Sequence, residues 1–154
     1  MKKRRKKKAG FEEPPLKNKI IVGIIGAIYA SILLLLLFWR TKYNAADGYW
    51  TQVAANMQLV PFATVMRYWK VIFNSSSLPK LFNALLNLAG NVVLFIPIGM
   101  ILPYENRRLR SFWRFFLWAV IIIVAVELTQ LFTLRGVCDV DDLLLNVAGE
   151  LMGF

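Results

Sequence analysis

Three long stretches of this chain carry almost no charge, and they constrain its fold more than any other feature. Ile20 to Trp39 passes without a charged residue, and so does Leu81 to Pro103. Phe115 to Leu134 holds Glu127 alone and is bracketed by Arg114 and Arg135. At the rise of an α-helix, about 20 residues cover roughly 30 Å, the hydrocarbon thickness of a bilayer. Composition agrees. Hydrophobic residues make up 58% of the chain and charged residues only 18%. Soluble domains carry about 45–50% and about 25%. A soluble globular domain and a disordered chain are both excluded.

The rest of the chain is organised around these spans. Residues 1–19 read as a disordered polybasic tail, because like charges repel and Pro14-Pro15 opposes helix. Residues 20–39 read as a transmembrane anchor. Their apolar run is longer than a signal-peptide core, and it ends in the interface anchor Phe38-Trp39-Arg40. Residues 40–80 form an extracytoplasmic loop. Within it Pro61 is placed to open a helix. Phe62, Val65, Met66, Trp69, Ile72 and Phe73 then fall on one face and Thr64, Arg67, Lys70 and Asn74 on the other. That pattern fits an amphipathic helix lying in the membrane interface. Residues 81–154 form a helical membrane domain in which Pro97 should kink the second span. The last apolar stretch, Leu143 to Phe154, reaches only about 18 Å. The expected fold is therefore an all-α integral membrane protein with three full transmembrane helices and a short or incomplete fourth.

Net charge of +10 is not a nucleic-acid footprint. Nine Lys and Arg against two Glu put +7 into residues 1–19, directly beside an apolar span. This placement suits anionic lipid headgroups, not nucleic acid. Four Arg between 107 and 114 mark a second basic flank. Basic flanks stay cytoplasmic. The expected topology is a multi-pass plasma-membrane protein with a cytoplasmic N-terminus. The 40–80 and 135–142 segments then face outward.

Much familiar chemistry is absent. The chain has no His, which removes Ser-His-Asp and Cys-His catalysis and every His-containing metal site. The single Cys138 forbids an internal disulfide. Neither common Gly-rich phosphate loop is present, and no cofactor is expected.

The polar residues inside the apolar spans carry the functional signal. Asn83, Asn87 and Asn91 recur every four residues on one helix face. Glu127 and Gln130 share a face of the third span, and Asp142, Asn146, Gly149 and Gly153 share a face of the last. With the topology above, all three sets lie in the outer half of the membrane. A charged carboxylate near the bilayer centre costs roughly 2.5–3.5 kcal/mol. Glu127 therefore needs a proton, or a polar cavity and a partner. One reading gathers Asn87, Asn91, Glu127, Gln130, Arg135, Asp139, Asp142 and Asn146 into an outward-opening ligand pocket, with Arg135 placed to hold a phosphate or carboxylate. A second treats the amides and acids as interhelical glue. Asp139 or Asp142 can instead cap the last helix. In an enzymatic reading, Glu127 acts as general acid or base on a lipid-linked substrate, and Asp139 with Asp142 are weak Mg²⁺ candidates.

Together these segments resemble the VanZ-like family of small integral membrane proteins. The resemblance is carried by Asn91, Phe95, Pro97 and Gly99, then Glu127 and Gln130, then Asp139, Asp142, Asn146, Gly149 and Gly153. The LVPFATV segment around Pro61 and Phe62 is similar to the family's NLxPF motif. Gln58 stands where that motif has Asn. Glu150 stands where a small residue usually follows the first glycine, which argues against close helix approach there. The resemblance implies a role in lowered susceptibility to glycopeptide antibiotics, teicoplanin in particular, in Gram-positive bacteria. The expected function is non-enzymatic binding of an envelope lipid headgroup, a lipid-linked cell-wall ligand or the glycopeptide itself. The alternatives are an enzyme on a lipid-linked substrate and a passive assembly subunit.

Overall fold

A computed structural model describes residues 14–39, 44 and 46–154. The tail through residue 13 and the Arg40 anchor lie outside the described residues. The elements in order are α1 (Leu16–Phe38), α2 (Tyr49–Ala55), β1 (Met57–Gln58), α3 (Ala63–Asn74), α4 (Leu78–Val93), α5 (Ile96–Glu105), a 3₁₀ turn (Arg107–Arg110), α6 (Phe112–Phe132), β2 (Cys138–Asp139) and α7 (Val140–Gly153). Three helical stretches are long and apolar enough to cross a membrane: Leu16–Phe38, Leu78–Glu105 and Phe112–Phe132. Their flanks expose Ile20, Ile24, Leu35, Leu86, Leu117 and Ile121 to the surroundings. Such a surface suits lipid and not water.

Two expectations about boundaries change. Disorder was expected through Lys19, but α1 begins at Leu16. Pro15 stands at its N-cap, where a proline disturbs no helical hydrogen bond. Pro97 does more than bend one helix. The second span breaks after Val93 and restarts at Ile96, with Pro97 in the first turn of α5, where its missing N–H has no helical acceptor to satisfy. α7 starts at Val140, three residues before the apolar run, and its 14 residues reach about 21 Å.

α7 is the centre of the packing, in contact with α4, α5 and α6. Glycines set the spacing. A Cβ added at Gly149 would strike the carbonyl of Val92, and one at Gly153 the carbonyl of Ile96. Across the same seam, a Cβ at Gly99 would strike the carbonyl of Glu150. The backbones are thus in direct contact, the close approach that a GxxxG pair allows, and Glu150 does not prevent it. At Gly99 it is the main-chain carbonyl of Glu150 that faces α5. Around this seam Leu33, Phe95, Ile123 and Val147 form one core cluster. At the other end Phe154 stacks on the fully buried Phe115 at 4.7 Å.

A pairing absent from the all-α expectation joins two distant loops. β1 and β2 run parallel, with Met57 opposite Cys138 and Gln58 opposite Asp139. The loop between α1 and α4 and the loop between α6 and α7 therefore meet on one side of the helices.

Candidate functional site

The site begins with the way α6 ends. The N–H of Leu134 bonds the carbonyl of Leu131 and that of Arg135 bonds the carbonyl of Gln130, at 3.1 and 2.9 Å. This is a Schellman ending, which needs a left-handed residue and usually takes glycine. Here Leu134 adopts it, with φ of 53°. Its side chain is buried with Val53 and Leu131, and this burial offsets the backbone cost. The reversal sends Cys138–Asp142 back across the end of α6.

Four acids then come together. The N–H of Asp139 donates to Glu127 Oε2 at 3.3 Å, and Glu127 is only 4% exposed. Asp139 is also the N-cap of α7, its Oδ1 accepting from the N–H of Asp141 at 2.8 Å. Its Oδ2 accepts from the Thr64 hydroxyl at 2.6 Å. Asp142 Oδ1 accepts from the Asn91 side-chain amide, which joins α4 to α7. Asp141, fully buried, accepts the N–H groups of Phe62, Thr64 and Val65, the last two at 2.8 and 3.0 Å. Among the described residues none of the four pairs with a basic side chain. The field is negative enough to act on Cys138. Burial first, then the carboxylates of Glu127 and Asp139, push its thiol above the ordinary range.

The expected site residues divide into two groups. Asn91, Glu127, Asp139 and Asp142 share this centre. Asn146 is 2% exposed one turn further along α7, and its side-chain oxygen has no hydrogen-bond partner among the described residues. The next turn carries Glu150, wholly buried, with both carboxyl oxygens likewise unpartnered. The other three residues do different work. Gln130 Nε2 donates to the Leu37 carbonyl at 2.9 Å, and an Arg135 guanidinium nitrogen to the Phe38 carbonyl at 3.2 Å. They tie down the C-terminal carbonyls of α1, which no helical N–H can reach. Asn87 is exposed and bonds back to the Asn83 carbonyl at 2.7 Å, one turn earlier in α4. The metal candidates Asp139 and Asp142 serve as a cap and an amide acceptor.

Two residues were not among the expected site residues, although Thr64 was placed on the polar face of its helix. Asp141 and Thr64 fasten α3 to the α6–α7 loop. α3 starts at Ala63 and not at Pro61, because Phe62 takes a left-handed conformation, φ of 63°, and gives its N–H to Asp141. The available signal was a deficit. The N-cap position of α3 is Phe62, which has no capping side chain, while three Asp crowd residues 139–142. A helix without its own cap takes one from elsewhere.

Two apolar grooves, of about 460 and 680 Å³, lie elsewhere, one along Leu78, Phe82 and Leu85 and the other between α1 and α6. Neither is lined by Asn91, Glu127 or Asp142.

The VanZ/LLP1 family pattern matches residues 26–154. The chain is also similar to "Protein VanZ" of Enterococcus faecium, 22% identical over 136 residues that cover 88% of this chain and 73% of that protein. No solved structure matches. The chain belongs to the VanZ/LLP1 family.

Proposed function

We propose that this VanZ/LLP1 membrane protein lowers susceptibility to glycopeptide antibiotics, teicoplanin in particular, by binding an envelope lipid headgroup or lipid-anchored ligand at its polar centre. One observation carries the reading. Asn91, Glu127 and the Asp139–Asp142 segment come from three separated sequence motifs, yet Glu127 bonds the main chain of Asp139 and Asn91 bonds Asp142, both at the start of α7. Apolar packing alone gives no reason for four carboxyl groups to converge with no basic partner among the described residues. Asn83 and Asn87 lie exposed along α4 on the way to Asn91 and form a polar approach for a headgroup. In this reading a ligand replaces internal hydrogen bonds of the centre, and Glu127 donates or exchanges a proton with it.

The surrounding assignments follow the same logic. The basic N-terminal tail and the Arg107–Arg114 flank lie in the cytoplasm against anionic headgroups. The polar centre then faces outward. α3 lies in the outer interface, with Met66, Trp69 and Phe73 exposed on its apolar side and Arg67 and Lys70 also outward.

The dense hydrogen bonding also supports the assembly reading, in which the centre only holds the helices together. Teicoplanin susceptibility of a sensitive Gram-positive host separates the two. The wild-type chain should raise the inhibitory concentration, and a Glu127→Gln chain, expressed equally, should not. A folded Glu127→Gln protein with full resistance would leave only the assembly role. A wild-type chain without effect would end the resistance reading.

A further inference from the structure

The outer junction of α1 and α6 contains a second feature that the polar centre does not use. Gln130 and Arg135 hold α1 there by its last carbonyls. Beside them the helices leave a groove of about 680 Å³ lined by Leu34, Leu35, Phe38, Trp39, Thr129 and Arg135. Its composition is graded. Leu34 and Leu35 are a turn deeper along α1 than Trp39, and Trp39 is 79% exposed, as expected at headgroup depth. The single charge, Arg135, stands at the same end as Trp39.

Arg135 has donors to spare. A guanidinium carries five N–H groups in a planar fork. The contact with the Phe38 carbonyl is its one side-chain hydrogen bond among the described residues, and no carboxylate there lies within ion-pair distance. The neighbouring acids are committed elsewhere: Asp139 to Asp141 and Thr64, Asp141 to the start of α3, Asp142 to Asn91. A cation at the membrane boundary above an apolar slot has the complementarity of one kind of molecule.

We propose that the groove between α1 and α6 seats an anionic phospholipid of the outer leaflet, its phosphate on Arg135 and an acyl chain along Leu34 and Leu35. The phosphate oxygens take the free N–H groups of the guanidinium in the bidentate manner that arginine favours. The chain fills the slot below Trp39. This site is distinct from the polar centre, and a lipid seated here also braces the end of α1.

Native mass spectrometry of the full chain, purified in detergent with phosphatidylglycerol or phosphatidylcholine added, tests the proposal. The wild type should retain one phosphatidylglycerol at least about fivefold more readily than phosphatidylcholine, the scale of one basic residue near an anionic surface. Arg135→Gln should bring the two lipids level. Leu35→Trp, which fills the exposed side of the groove, should reduce retention of both. Circular dichroism checks that the variants fold, and if Arg135→Gln does not, Leu35→Trp decides alone. Equal retention of the two lipids by the wild type, or phosphatidylglycerol binding untouched by the variants, overturns the site. A dimer lost in Leu35→Trp with no lipid retained assigns the groove to a second copy and overturns it too. Antibiotic susceptibility plays no part in this readout, so the result stands apart from the fate of the resistance reading.

Discussion

Asp141 holds the start of α3 with one buried carboxylate, and removing it orphans three backbone donors at once. A buried unsatisfied donor costs about 1–3 kcal/mol, and only the Thr64 bond is fully buried, so Asp141→Ala should destabilise the protein by roughly 2 kcal/mol. Asp141→Asn keeps one acceptor oxygen and should lose clearly less. Thermal unfolding in detergent measures both. Asn91 and Glu127 were legible from sequence because polar groups inside apolar spans stand out by their cost, and Asp142 because it shares a helix face with Asn146, Gly149 and Gly153. Gln130 was legible as interhelical glue and Arg135 only as a ligand contact, and neither pointed to the end of α1. Their acceptors are the main-chain carbonyls of Leu37 and Phe38, and every residue has a carbonyl. Sequence marks the donor there and says nothing about which helix end it reaches.

Between elements, spacing is set by three glycines and not by side-chain volume. Gly149→Ala should drive a methyl into the Val92 carbonyl, and Gly99→Ala into that of Glu150. Overpacking of this kind costs about 1–3 kcal/mol. Gly90→Ala is the control, because nothing lies within 4 Å of its added Cβ. It should be neutral or slightly stabilising, by up to about 1 kcal/mol in a helix. Melting temperatures of the three variants in one detergent check the contrast, and equal losses would refute the close seam. The spans themselves were readable because length and absence of charge are local properties. The β1–β2 pairing was not, since it joins two residues to two others some 80 positions away with no repeated pattern. Pro97 pointed to an irregularity, and the fold resolves it as a helix start because a proline is tolerated in a first turn.

At the scale of the molecule, the β1–β2 pairing puts the α1–α4 connection and the short α6–α7 loop on one side, and the proposed topology makes that side the outer one. An impermeant maleimide applied to intact cells should label Ser76→Cys and spare Ser111→Cys, both in a Cys138→Ser background. Cys138 itself is a poor reporter, since its raised thiol pKa leaves little thiolate at neutral pH. The reverse pattern would invert the protein and place the polar centre inside. The central claim is that α4, α6 and α7 bring their acids and amides together as a single functional unit. Asn91 and Asp142 form its direct bridge between helices. A double-mutant cycle in teicoplanin susceptibility, with Asn91→Leu, Asp142→Asn and the pair at matched expression, tests it most directly. Each single change should abolish most of the resistance and the double should add little further. Independent, additive losses, or full resistance in either single variant, would contradict it.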